Sequence, residues 1–274
     1  MARKSKKDEA VEAMNAPPGE FITFDREVLE SVLNAIKALM PECRMHVLDK
    51  AITVMGVDTA NVAMLSLTMR EEAFMDFRMK PCEIGVDCDR LAIGLKTMDG
   101  PKVDLIKIDE SRFVLTDGLT RFEYPALDCN VIRKDPNPPA LALPGCITLN
   151  HDALANAIVS VALIGEKAAF ILESDRADEP PRLNIDCEGP TDRLIKQVPM
   201  MPDGDEVEVG VRGTWRSLFS LDYLKDFAKV FKAAKGTTVV IKLELGDDNP
   251  VKMSLEIAPG VMVQYLLAPR IEAD

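Results

Sequence analysis

The chain predicts an α+β fold of two similar domains, with helices packed on one face of a mainly antiparallel sheet, and three observations carry that prediction. Apolar and polar residues alternate with period two along most of the chain, the mark of strands with one buried face. Four segments break the alternation with a helical period. A proline-rich stretch near mid-chain leaves two of those helices before it and two after.

The strands are clearest near the C-terminus. Val239, Ile241, Leu243 and Leu245 face one way and Lys242 and Glu244 the other; Val251, Met253, Leu255 and Ile257 repeat the pattern opposite Lys252, Ser254 and Glu256. Gly246 to Pro250 joins the two as a hairpin. The same alternation runs through Ala63, Leu65, Leu67 and Met69, through Leu183, Ile185 and Cys187, and through Val207, Val209 and Val211. Asp117-Gly118 reads as a two-residue hairpin turn. Helical periodicity covers about 26 to 39, 89 to 98, 151 to 164 and 221 to 234.

Residues 1 to 20 are charged, then small and proline-containing (Asn15, Ala16, Pro17, Pro18), without either periodicity, and are expected to be a disordered tail. An N-terminal domain then spans 21 to 130, a connector 131 to 145 and a C-terminal domain 146 to 274. In the connector Arg133, Lys134, Asp135, Pro136, Asn137, Pro138 and Pro139 forbid helix and central strand. The two halves echo each other: Asp89-x-Leu91 recurs as Asp222-x-Leu224, and Ile106-Lys107 as Ile241-Lys242. Each half is one unit of helix, strands, helix, strands.

A length of 274 residues with 47% hydrophobic content supplies a core that needs no staples. The net charge of −12, from 45 acidic against 33 basic side chains, predicts repulsion from nucleic acid and from anionic membranes. No stretch approaches the roughly 18 apolar residues of a membrane span. The N-terminus (Arg3, Lys4, Lys6, Lys7, Asp8, Glu9) lacks the apolar run of a signal peptide, so a soluble protein inside the cell is expected. Cys43, Cys82, Cys88, Cys129, Cys146 and Cys187 are scattered singly and read as reduced core thiols.

No nucleotide, hydrolase or zinc-protease motif is present. His46, expected at the start of a strand, and His151, at the start of a helix, read as satisfied core or capping side chains. Asp203, Asp205, Glu206 and Glu208, like Asp247 and Asp248, fall in turns and on solvent faces. No catalytic residue, metal site or cofactor is predicted.

Positive charge is localised. Lys225, Lys229 and Lys232 lie on one stripe of the last helix, while Leu221, Leu224, Phe227, Ala228 and Phe231 pack inward. By itself such a stripe is usually a solvated face. Lys37 on the first helix, with Arg90 and Lys96 on the second, gives three helices of an acidic chain outward cations.

The C-terminal string Tyr265, Leu266, Leu267, Ala268, Pro269, Arg270, Ile271, Glu272, with Phe219, Ser220, Leu221, Asp222, Tyr223 and Leu224, closely resembles the archaeal form of the proliferating cell nuclear antigen family. So does Val57, Asp58, Thr59, Ala60, Asn61, Val62, Ala63. With the element order, the resemblance spans roughly 21 to 272. It implies the DNA clamp fold: a closed ring of three subunits, helices lining a central hole and a continuous sheet outside. A ring can be acidic outside and basic inside, and enclosure holds DNA through mobile phosphate contacts.

By resemblance Lys37, Lys96 and Lys229 face the channel; Lys225 and Lys232 join them from the helical stripe, and Arg90 from the second helix. The third helix departs from the family in offering only His151 and small apolar residues. Family members close their ring by pairing an edge strand of the first domain with one of the second, here about 119 to 126 (Arg121, Phe122, Glu123, Tyr124) and 182 to 189 (Arg182, Leu183, Ile185, Asp186). Without the resemblance these would be ordinary edges blunted by charge. Clients plug a pocket beneath the connector, which the resemblance assigns to Val57, Asp58, Val62, Ile132, Arg133, Pro250, Leu266, Leu267, Ala268, Pro269, Arg270 and Ile271. Leu266 and Leu267 alone would be core residues. Leu267→Asp is expected to abolish client stimulation and leave the ring intact.

The function implied is a cytoplasmic, nucleoid-associated sliding clamp. It would encircle double-stranded DNA without sequence preference, self-associate as a homotrimer, and serve DNA polymerase, clamp loader, flap endonuclease and DNA ligase, without cofactor or membrane. The alternatives are a subunit of a hetero-trimeric or repair-specialised clamp, and a hydrolase or small-molecule-binding β protein.

Overall fold

A computed structural model describes residues 19–174, 180–201, 213–234 and 239–271. The expected tail, the Val207–Val211 strand, the acidic cluster from Asp203 to Glu208 and Glu272 lie outside the described residues. The first half of the chain runs β1 (Glu20–Asp25), α1 (Arg26–Lys37), β2 (Glu42–Leu48), β3 (Ala51–Val57), β4 (Ala63–Met69), β5 (Asp76–Phe77), β6 (Cys82–Asp87), α2 (Cys88–Lys96), β7 (Lys102–Lys107), β8 (Arg112–Thr116) and β9 (Arg121–Pro125). The second runs β10 (Gly145–Asn150), α3 (His151–Val161), β11 (Lys167–Glu173), β12 (Arg182–Glu188), β13 (Arg193–Pro199), β14 (Thr214–Ser220), α4 (Leu221–Ala233), β15 (Val240–Leu245), β16 (Val251–Ala258) and β17 (Val261–Leu267).

Each helix follows a strand without a loop, and the switch is made by the strand's last residue. Asp25 accepts the amides of Glu27 and Val28, Asp87 that of Arg90, and Asn150 that of Ala153. These are N-caps from short polar side chains that favour extended backbone at that position. Ser220, before α4, makes no such bond.

Three sheets form, and every strand ladder among the described residues is antiparallel. The orders are β5-β1-β7-β8-β9, β10-β15-β16-β17-β4-β3-β2-β6 and β13-β12-β11-β14. The central sheet joins the halves through β17 and β4, from Val261 opposite Met69 to Leu267 opposite Ala63. Helices pack side by side in the order α2, α1, α4, α3, with α1 and α4 both against β16. Tyr265 pins that seam: its hydroxyl donates to the Ala35 carbonyl of α1 at 2.7 Å and its ring stacks on Phe227 of α4 with centroids 4.2 Å apart.

The likeness of the halves is partly as read. Asp89 and Asp222 are each the second residue of their helix. The Ile-Lys echo is not an equivalence. Asp25 pairs Lys102 and Asn150 pairs Val240, so Lys102 corresponds to Val240 and Ile106-Lys107 lies beyond the position of Ile241-Lys242.

Asp117-Gly118 is likewise not a two-residue turn. Four residues, 117 to 120, join β8 to β9, because Asp117 accepts the amides of Leu119 and Thr120 while also holding those of Asp99 and Gly100. Gly118 supplies the positive φ of +88°. His46 sits inside β2 rather than at its start, and His151 is buried with Nδ1 against the Phe231 carbonyl at 2.8 Å. None of the six cysteines is in a disulfide; Cys82 and Cys129 are only half-buried, whereas Cys43 and Cys88 are buried with sulfurs 3.8 Å apart.

Candidate nucleic-acid and protein interfaces

The helix layer presents Lys37, Arg90, Lys96, Lys225, Lys229 and Lys232 to solvent on its open side, but not as bare cations. Lys37 of α1 reaches Asp89 of α2 at 2.6 Å; Lys225 reaches Asp222 at 2.7 Å and Lys229 reaches Asp226 at 2.6 Å within α4. Hydrogen bonding from Lys225 lowers the Asp222 carboxyl and, reciprocally, raises the lysine. Arg90, Lys96 and Lys232 have no such partner among the described residues. The basic stripe is thus a ladder of ion pairs with three free cations. On α3 the exposed residues are Asp152, Asn156 and Val159, with Leu163 just beyond and 83% exposed.

A cavity of about 130 Å³ lies beneath the connector, between Met40, Pro41, Met55, Val57, Asp58, Ile132 and Arg133. Asp58 organises its rim. Its carboxylate accepts the amides of Ala60, Val62 and Ala63 and the Tyr223 hydroxyl at 2.6 Å, tying the loop after β3 to α4. Burial pushes this carboxyl up, but the Ala63 amide, the Tyr223 hydroxyl and the other two amides outweigh it and hold it below the usual range. The same bond pushes Tyr223 up to about 12. Arg133 of the connector bonds the Asp58 carbonyl at 2.8 Å and the Asn61 side chain, and Arg44 of β2 bonds the Cys129 carbonyl at 2.6 Å and that of Ile132 at 3.3 Å.

The remaining expected pocket residues are spread out. Ala268 donates its amide to the Val62 carbonyl, and Arg270 its amide to that of Leu218, so the tail runs from the cavity side onto β14. Leu266, Pro269 and Pro250 are half-buried; Ile271 is exposed. Leu267 is 0% exposed in β17 and belongs to the core. A charge there attacks the fold, so the expectation that Leu267→Asp spares the ring is corrected.

Of the two strands expected at edges, β9 ends its sheet and β12 does not. β9 is the edge of its sheet, with Arg121 and Glu123 exposed and paired to each other at 2.6 Å, Phe122 half-buried and Tyr124 buried. β12 is internal: Leu183 and Ile185 are fully buried, Arg182 pairs Glu173, and Asp186 pairs Arg193 of β13, which covers the strand along its whole length. The open edge is β13, whose Ile195 is 53% exposed.

Residues 23–112 match the family model described as proliferating cell nuclear antigen, N-terminal domain. The DNA polymerase sliding clamp of Methanoregula boonei is 39% identical over 258 residues, 92% of this chain and 98% of that one, and the sliding clamp of Methanoculleus marisnigri is 39% identical over 256 residues at the same coverage. The chain belongs to the DNA polymerase sliding clamp family. Among solved clamps, Archaeoglobus fulgidus PCNA with the C-terminal region of FEN-1 bound superposes with a TM-score of 0.81 at 30% identity, over 93% of this chain and 100% of that one. The PCNA2–PCNA3 complex of Sulfolobus tokodaii superposes at 0.74 with 16% identity, a likeness of fold alone.

Of the outer-sheet end strands that bear on the interface, sequence reasoning missed β13. Its burial order, with only Val198 fully buried, has no period of two, so alternation passed over it. The turn before it, Gly189, Pro190, Thr191 and Asp192, was the available signal.

Proposed function

We propose that this chain acts as a ring of three copies that encircles duplex DNA without sequence preference and tethers replication and repair enzymes to it, working by enclosure and not by catalysis. The observation that carries this is likeness over nearly the whole length to proteins named DNA polymerase sliding clamps. β9 and β13 are end strands of the two outer sheets, one from each half of the chain. Edge pairing between copies removes both from solvent and closes a ring if the rotation allows three. Glu123 and Arg121 on one edge meet Arg193 and Lys196 on the other, which sets register by charge.

On this reading the halves 21–130 and 146–274 are two domains, joined by the connector 131–145 and fused through the central sheet. The helix layer faces the duplex. Its paired lysines stay with their carboxylates and add little, while Arg90, Lys96 and Lys232 supply attraction. Weak, exchangeable contact is what sliding requires. The cavity under the connector receives client enzymes, among them polymerase, clamp loader, ligase and flap endonuclease, as supported by the FEN-1 segment bound to the A. fulgidus relative. The setting is cytoplasmic and nucleoid-associated, and no cofactor takes part.

Light scattering on a sizing column tests the ring. Three chain masses are expected for the wild type and one for Ile195→Asp, which places a charge in the edge contact without touching the core. A wild-type monomer would point to a hetero-trimeric clamp with missing partner subunits.

A further inference from the structure

His46 lies on the outer face of β2, opposite Glu83 of β6 and Thr53 of β3. Its Nε2 meets Asp135 Oδ2 of the connector at 2.5 Å and its Nδ1 lies 3.4 Å from Glu83 Oε1. Imidazole, Glu83 and Asp135 side chains are 25%, 51% and 28% exposed. The other Asp135 oxygen, Oδ1, is buried without a partner, so this carboxylate depends on the imidazole. The segments packed here also carry Arg44 on β2, Asp128 and Cys129 in the bend after β9, and Arg133 and Lys134 on the connector; Cys129 lies in the field of Arg44, Glu83, Asp128 and Asp135. Arg44 is taken up by the Cys129 and Ile132 carbonyls and Arg133 by Asp58 and Asn61.

A neutral imidazole donates one hydrogen bond and turns a lone pair toward the second carboxylate. A protonated one donates to both and compensates both charges. We infer that His46 is a positioning residue for the client pocket: with both ring nitrogens donating it clasps the connector to β2 through Asp135, with Glu83 behind it, and it loosens its hold on the connector as pH rises. This rests on the cavity under the connector being the client site. Ile132 and Arg133, three and two residues before Asp135, form one wall of that cavity, and a wall held in place costs less to order on binding.

The test is fluorescence anisotropy of a labelled peptide, the FEN-1 C-terminal segment seen on the A. fulgidus clamp, titrated against the full-length ring from about pH 5.5 to about pH 8. Wild type is expected to bind about tenfold more weakly at the upper end, as one of two charge-assisted bonds is lost. His46→Gln, which keeps a neutral donor, and Asp135→Asn are each expected to bind with the same affinity throughout. A pH-independent wild type, or a variant with the wild-type slope, overturns the clasp.

A second measurement needs no client. Trypsin cleavage after Arg133 is expected to speed up with pH in wild type relative to His46→Gln at the same pH. A constant ratio overturns the clasp. Peptide that binds at no pH while the ratio rises overturns the client-site reading and leaves the clasp standing.

Discussion

The helix layer and the connector rim use charge in opposite ways. On α4, Lys225–Asp222 and Lys229–Asp226 are exposed pairs three residues apart on one helix. Such pairs contribute little to stability, because water and salt already screen them. At the rim, Asp58 is buried and satisfied by three amides and a hydroxyl drawn from another part of the chain. There each lost bond leaves a buried polar group unpaired, at roughly 1 to 3 kcal/mol. The same residue types therefore fix architecture in one place and tune attraction to a ligand in the other. Substitutions should separate the two.

The largest effect belongs to neither region but to the seam beneath both. Leu267 is fully enclosed between Ala63 and Val251. Leu267→Asp is expected to lower stability by more than about 4 kcal/mol, combining a lost core side chain with an unpaired buried charge. Denaturant unfolding checks this. A soluble, native-like trimer with unchanged midpoint would mean that β17 does not carry the core as described.

Much of this was legible before any coordinates. Period two found β4, β15, β16 and β12, and helical period found all four helices to within a few residues at their ends, because in each the buried face is continuous. The alternation of Val261, Val263, Tyr265 and Leu267 already marks Leu267 as inward. Its assignment to a surface pocket came from the resemblance and overrode that pattern. β13 was illegible because Leu194 and Ile195 stand side by side and Lys196 interrupts the inward row of Leu194 and Val198, although α3 packs against the strand. The charge stripe was half read: Asp222 and Asp226 stand three residues before their lysines in the sequence. The Lys37–Asp89 pair needs α1 and α2 to be neighbours, which only the fold supplies.

At the rim, Asp58→Asn keeps the shape but weakens every bond that the carboxylate accepts. A loss of about 2 kcal/mol is expected, with the Tyr223 titration returning toward its ordinary value. The sign with pH follows from the lowered carboxyl. Its contribution is complete above the unfolded value near 4 and is lost as pH falls through the folded one. Wild type should therefore lose its advantage over Asp58→Asn in acid, below about pH 4. An advantage constant down to about pH 2 would remove the carboxylate from the account.

On the helix layer little change in stability is expected, and the readout is DNA. Asp222→Asn with Asp226→Asn frees Lys225 and Lys229 without moving them. Each freed cation that neutralises a phosphate steepens the dependence of log affinity on log salt by about 0.9. The double variant should thus hold DNA more tightly at low salt, slide more slowly, and show a salt slope steeper by nearly two such steps. Lys232→Ala should lose one step, since Lys232 has no partner among the described residues to give up. Equal slopes for wild type and double variant would mean that phosphates already displace the two aspartates on binding, so the ion-pair ladder exists only in the empty ring.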